Sequence, residues 1–168
     1  MMSEMITGMP VWAGVLLIST TIYCITFCFK KEIGVKFLLL IPICFLIFSL
    51  VSLFQQGAVL SSGFIWLLGF LIGGLAAKRL FASHDYRLGR KAGTIAVPGT
   101  YSIITLFLFY FPLRYYIGYR QATAIDHTLS LPLVLLLALS SGGVVGFFTL
   151  RAGILFWHYR KLNTKETA

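Results

Sequence analysis

The stretch that decides the fold is residues 131–157, LPLVLLLALSSGGVVGFFTLRAGILFW. Arg151 is the only charged residue within it. The hydrocarbon core of a bilayer is about 30 Å thick, and about 20 helical residues cross it. Backbone groups in hydrocarbon must form hydrogen bonds within their own segment, so this stretch predicts a transmembrane helix.

Four further apolar segments precede this one along the chain. They span about residues 10–29, 37–54, 59–77 and 100–119. Only 11% of the 168 residues are charged, whereas a soluble domain carries about 25%. We therefore expect an all-α integral membrane bundle of about five transmembrane helices, formed by a single polytopic domain over residues 1–168.

Most of the net charge of +9 lies in alternate connections between these segments. Loop 30–36, loop 78–98 and the C-terminal tail together hold eleven Lys and Arg residues, and the connections on the opposite side hold only Arg120. Basic residues are retained on the cytoplasmic side of the membrane. The pattern predicts an outside N-terminus and a cytoplasmic C-terminus, and it favours a lipid partner over nucleic acid.

Loop 78–98 predicts a short cytoplasmic hairpin between the third and fourth helices. Residues Tyr86–Leu88 and Thr94–Val97 resemble two short strands, and the RKAG sequence at 90–93 suggests a turn. The five cations of this loop could attract anionic lipid. They could equally serve only to set the topology.

Small residues recur at every fourth position in two of the segments. Gly69 and Gly73 share one face of the third helix, and Gly142 and Gly146 share one face of the fifth. Small residues at this spacing allow helix backbones to approach closely in a membrane. The faces predict either packing within the bundle or the seam of a homo-oligomer.

Arg114 and Arg151 are the charged residues closest to the hydrocarbon in this topology. A long arginine side chain can extend to the headgroups, which is the common structural explanation for such residues. The functional alternative is contact with an anionic solute or a lipid headgroup. Because the two arginines lie toward opposite leaflets, we do not expect them to share a site.

The residue types needed for membrane chemistry lie outside the apolar segments. All five acidic residues do so: Glu4, Glu32, Asp85, Asp126 and Glu166. Proton- or cation-coupled transporters usually place a carboxylate within the membrane. The three histidines lie in loops or at a helix end, and no metalloprotease, hydrolase or nucleotide-binding motif occurs. We predict no catalytic residue, cofactor or metal site.

Three stretches resemble a known group of proteins: MPVW at 9–12, HDYRLGRKAGTIAVPGTYSIITLFLFYFPLRYYIGY at 84–119, and GGVVGFFTLRAGILFWHYR at 142–160. The group consists of small five-span bacterial inner-membrane proteins with a domain-of-unknown-function label. The positions that carry the resemblance are Pro98, Gly99, Thr100, Arg114, Gly146 and Arg151. Tyr101 stands where that group would have a tryptophan. The resemblance implies a bacterial inner membrane and five helices, and it implies no activity.

Two classes of function agree with these observations. The first is a non-enzymatic structural or accessory membrane subunit, acting in a homo-oligomer or a larger membrane complex. The second is a small transporter or channel that contacts an anionic group through Arg114 or Arg151.

Overall fold

A computed structural model describes residues 18–19, 21–22, 25–26, 28–29, 31–54, 59–82, 84, 86–90, 93–123 and 130–166. The chain is mostly helical, which confirms the predicted all-α class. The elements, in chain order, are β1 (Lys31–Gly34), α1 (Val35–Phe54), α2 (Val59–Phe81), β2 (Arg87–Leu88), β3 (Thr94–Val97), α3 (Ser102–Thr123) and α4 (Leu131–Glu166). The first predicted helix, 10–29, lies largely outside the described residues.

The chain divides into two compact units. One comprises Met1–Phe29 and Gly99–Thr128, and we call it the α3 unit. The other comprises Lys30–Pro98 and Leu129–Ala168, and we call it the sheet unit. The second, third and fifth apolar segments of the sequence belong to the sheet unit, as α1, α2 and α4, and the fourth forms α3.

Helices α2 and α4 extend further than their apolar stretches. The sequence predicts helices over 59–77 and 131–157, and the structure continues them to Phe81 and Glu166. Both extensions carry cations, which are favourable near the negative end of the helix dipole. A helix does not need to end where its apolar residues end, so hydropathy underestimates both lengths.

The strands form one antiparallel sheet with the order β1-β3-β2. The hairpin predicted in loop 78–98 is present, with Leu88 opposite Ile95. Strand β1 was not predicted, and it pairs with β3 from Lys31 opposite Val97 to Gly34 opposite Thr94. The sheet therefore joins loop 30–36 to loop 78–98.

One face of this sheet packs on the C-terminal part of α4. Ile95 and Val97 of β3 are buried in the same cluster as Ala152 and Leu155 of α4. Alternate residues of a strand face the same side, which explains why Ile95 and Val97 are buried together. The part of α4 that contains Ala152 and Leu155 therefore belongs to the core of the small sheet.

Two of the described helices are long and apolar enough to cross a membrane, by length and composition: Ser61–Phe81 and Leu131–Thr164. The apolar segment Leu38–Val51 of α1 is shorter. Only 22% of the apolar window of α2 is buried within the protein. Its outer face exposes large side chains, including Phe64 at 75% and Leu75 at 61%. Such a surface is typical of contact with lipid or with another apolar partner.

Candidate functional site

The glycines singled out in the sequence lie where α2 and α4 meet. A Cβ atom on Gly69 would overlap the carbonyl oxygen of Leu139, and one on Gly73 would overlap that of Gly143. In the other direction, a Cβ atom on Gly142 would overlap the carbonyl oxygen of Trp66. The two backbones thus touch directly, a close approach that small residues at this spacing permit.

These contacts also give the direction of the two helices. Gly142 lies against Trp66, and four residues later Gly146 lies against Phe70. Residue numbers rise together along both helices, so α2 and α4 run parallel. Parallel helices place their C-terminal ends at the same end of the unit, where the sheet is found.

Arg151 lies at this end, and it is nearly completely buried. Its side chain is only 4% exposed. The guanidinium carbon is 5.3 Å from the centroid of the Phe81 ring at the end of α2. The ring of Phe147, one turn earlier on α4, meets the same Phe81 ring edge-on at 5.7 Å. Arg151 is therefore enclosed by protein instead of extending into water.

Tyr86 also packs at the C-terminal end of α2. Its hydroxyl donates a hydrogen bond of 2.8 Å to the carbonyl oxygen of Phe81. The last carbonyls of a helix have no partner within the helix, so this bond caps α2. Burial raises the pKa of the Tyr86 hydroxyl above its ordinary value of 10.0, and the positive charge of Arg151 opposes part of that rise.

His158 completes the cluster from about two turns further along α4. Its ring lies 4.8 Å from the ring of Tyr86. Its Nδ1 atom is 2.9 Å from the carbonyl oxygen of Ile154. Because a carbonyl can only accept a hydrogen bond, Nδ1 must carry the proton, which leaves Nε2 as the acceptor when the ring is neutral. We call Phe81, Tyr86, Phe147, Arg151 and His158 the junction cluster.

The junction cluster holds three structural elements together. It joins the C-terminal end of α2, the residue before β2 and the middle of α4. A cation over an aromatic ring is stabilised by up to about 2 kcal/mol where water is excluded. The arrangement can thus fix the sheet relative to the helices, and the Phe81 ring offsets part of the cost of burying the Arg151 guanidinium.

Arg114 occupies a different environment. It lies within α3, two residues after Pro112, and it is half-buried. It belongs to the α3 unit, whereas Arg151 belongs to the sheet unit.

A second polar contact lies between α1 and α2. The indole N–H of Trp66 donates a hydrogen bond of 2.7 Å to the hydroxyl oxygen of Ser49. Ser49 is 3% exposed, and Ser62, one turn before Trp66, is fully buried. Polar side chains of this kind hydrogen-bond across neighbouring membrane helices.

Within the described residues, no group of three or more His, Cys, Asp or Glu side chains is placed to hold a metal ion. Sequence reasoning identified Arg151 but missed Tyr86 and His158, its partners in the junction cluster. The sequence contained one indication, because Tyr86 begins the first predicted strand of the hairpin. The contact of Tyr86 with His158 could not be deduced from spacing, because the two residues are far apart in the sequence.

No family model, curated protein or solved structure matches this chain. The physical features of the site must therefore support any functional conclusion.

Proposed function

We propose that this protein is a non-enzymatic structural or accessory subunit of the bacterial inner membrane. It forms a bundle of about five transmembrane helices, with the N-terminus outside and the C-terminus cytoplasmic. In this proposal it belongs with the small five-span proteins that its sequence resembles. It works by packing against other membrane helices, in a homo-oligomer or in a larger complex.

The observation that carries the proposal is the direct backbone contact between α2 and α4. The backbone of α4 covers the face of α2 at Gly69 and Gly73. This supports packing within the chain over a homo-oligomer seam at these positions. The opposite face of α2 remains apolar and exposed, with Phe64, Leu68 and Leu75 pointing outward. That face is available to lipid or to the helices of a partner.

The sheet supports the proposed orientation. It brings loop 30–36 and loop 78–98 together, and both pack near the C-terminal part of α4. Loop 30–36, loop 78–98 and the C-terminal segment are the three basic segments that the predicted topology assigns to one side of the membrane. Their cations favour the cytoplasmic side.

Cysteine labelling tests this topology. In a variant without Cys24, Cys28 and Cys44, single cysteines are placed at Ser83 and at Thr123. A membrane-impermeant thiol reagent applied to intact cells should label the cysteine at 123 and spare the cysteine at 83. Labelling of both positions from the same side would refute the five-span topology.

The alternative is a small transporter or channel that contacts an anionic group through Arg114 or Arg151. The burial of a permanent positive charge at Arg151 is the observation that favours it, because charged residues inside membrane proteins often mark ion pathways. The position of the Arg151 guanidinium over the Phe81 ring supports the structural role instead.

Reconstitution separates these two functions. The accessory-subunit proposal predicts that the purified chain in liposomes shows no anion flux above that of empty liposomes. It also predicts that the protein extracted from its own membrane migrates in an assembly larger than the 18.7 kDa chain. Flux that disappears in Arg151→Gln or Arg114→Gln would overturn the proposal in favour of the transporter.

A further inference from the structure

The C-terminal part of α4 carries an exposed stripe of aromatic and cationic side chains. It consists of Phe156, Trp157, Arg160 and Lys161, and we call it the α4 stripe. Pairs four residues apart lie on one face of a helix, so Phe156 with Arg160 and Trp157 with Lys161 are neighbours. Trp157 is 57% exposed and Phe156 is 37% exposed, and both cations are exposed.

The direction of the Lys161 side chain is informative. Its ammonium nitrogen lies 5.2 Å from the centroid of the Trp157 ring. Helical side chains lean toward the N-terminus of their helix, and here the lean brings the charge back by one turn. The charge therefore points along α4 toward its apolar, membrane-spanning part.

The depth of the stripe fits the headgroup region. The apolar stretch of α4 runs from residue 131 to Trp157, with Arg151 as its one charged residue. A helix of this length is about 40 Å long. A bilayer with both headgroup regions is about 40–45 Å thick, so Trp157 lies at the level of the headgroups. A ring and an ammonium group at this depth lie beside lipid phosphates.

The surrounding charge is strongly positive. The same end of the sheet unit exposes four more cations, which are Lys78, Arg79, Arg87 and Arg90. Glu32 is the one acidic side chain described in this unit, and its carboxylate accepts a hydrogen bond of 3.3 Å from the backbone N–H of Arg90. The complementary ligand is therefore anionic.

We propose that the α4 stripe binds the headgroups of anionic phospholipids in the adjacent leaflet. Trp157 inserts its ring at the interface, where amphipathic aromatic side chains are favoured, and Arg160 and Lys161 contact lipid phosphates. The inference rests on the membrane placement under Proposed function and not on the accessory role. Each interfacial cation strengthens binding to an anionic surface by about fivefold.

Quenching of Trp157 fluorescence tests this inference. The full-length chain carries Trp12→Phe and Trp66→Phe, so that Trp157 is the only tryptophan, and it is reconstituted into lipid nanodiscs. Phosphatidylglycerol and phosphatidylcholine with identical brominated chains serve as quenchers at equal mole fractions. We expect the phosphatidylglycerol to quench more strongly, and we expect high salt to reduce the difference.

Two pairs of substitutions make the test specific. In R160Q/K161Q the preference for phosphatidylglycerol should fall by about fivefold or more. The matched control R87Q/R90Q removes the same charge from the hairpin and should lower the preference by less, because these cations lie outside the α4 stripe. R160K/K161R keeps both charges and should also retain it, which separates loss of charge from loss of folding.

Three outcomes would contradict the proposals, and they distinguish failure of the lipid inference from failure of the membrane placement. Equal quenching by both lipids would overturn the inference and leave the membrane placement intact. A preference unchanged in R160Q/K161Q would also overturn it. Failure of the chain to incorporate into the nanodiscs would contradict the membrane placement itself.

Discussion

Gly73 of α2 lies directly against the backbone of Gly143 of α4, with no room for a side chain between them. Two parallel helices that touch at this position cannot separate slightly without losing contacts along their whole interface. Membrane helices gain little from the hydrophobic effect when they associate, because lipid is as apolar as their side chains. In the proposed membrane setting, close packing at such glycines is therefore a large part of what holds α2 to α4.

Substitution of Gly73 by alanine should destabilise the protein. The added methyl group overlaps the Gly143 carbonyl, and overpacking of this kind costs about 1–3 kcal/mol. SDS titration of the purified protein, followed by circular dichroism, measures the change. Gly153→Ala is the matched control, because nothing lies within 4 Å of its added Cβ atom. Equal loss of stability in both variants would contradict the packing argument.

Gly99 should be similarly intolerant, in the α3 unit. A Cβ atom there would overlap the carbonyl oxygen of Cys28. We expect Gly99→Ala to lower the unfolding midpoint by an amount that corresponds to about 1–3 kcal/mol. Gly118 in α3 has nothing within 4 Å of its Cβ position, so Gly118→Ala should be neutral or slightly stabilising. A neutral Gly99→Ala would show that the two segments are not in contact.

The hydrogen bond between Trp66 and Ser49 should couple α1 to α2. A double-mutant cycle with Ser49→Ala and Trp66→Phe isolates this coupling from the other effects of each change. Hydrogen bonds between membrane helices contribute about 0.6 kcal/mol on average and up to about 1.7 kcal/mol. We expect a coupling energy within that range. Strictly additive effects would indicate that the bond contributes nothing to stability.

Tyr86 should make the protein sensitive to alkaline pH. Its pKa in the folded protein is raised by burial, so the folded state retains a proton that the unfolded state releases above about pH 10. The stability contributed by this group is therefore complete below pH 10 and is lost as the pH rises further. Unfolding midpoints measured from pH 8 to pH 11 should fall less steeply in Tyr86→Phe than in the native protein.

Tyr86→Phe also loses the hydrogen bond to the Phe81 carbonyl. At neutral pH this should lower stability by about 0.5–1.5 kcal/mol. Tyr101→Phe provides the control, because the Tyr101 side chain is 75% exposed. If both variants showed the same dependence on pH, Tyr86 would not be the group responsible.

The sequence predicted several features of the fold well, because they depend on local chemistry. Helix α1, expected over 37–54, spans Val35–Phe54, as expected for a continuous apolar run in the proposed membrane setting. The hairpin strands also follow from local pattern, because Thr94–Val97 alternates buried and half-buried residues. The glycine spacing identified the faces of α2 and α4 that lack large side chains and therefore allow close approach.

Other features required the tertiary structure. Strand β1 has the sequence KEIG, which predicts a charged loop when taken alone. It becomes a strand because β3 supplies hydrogen-bond partners from a loop 60 to 66 residues away in sequence. Strand formation depends on the partner strand and on side-chain packing more than on intrinsic preference.

By itself, the sequence determined the helical class and placed the charges, since both depend only on which residues are apolar and where cations occur. The tertiary structure decided the partners. It placed Arg151 under Phe81 instead of in water, and it brought Tyr86 to the end of α2. It also packed the small sheet against α4 at Ala152 and Leu155. These are contacts between residues far apart in the chain, and their energies depend on distances that a linear pattern does not contain.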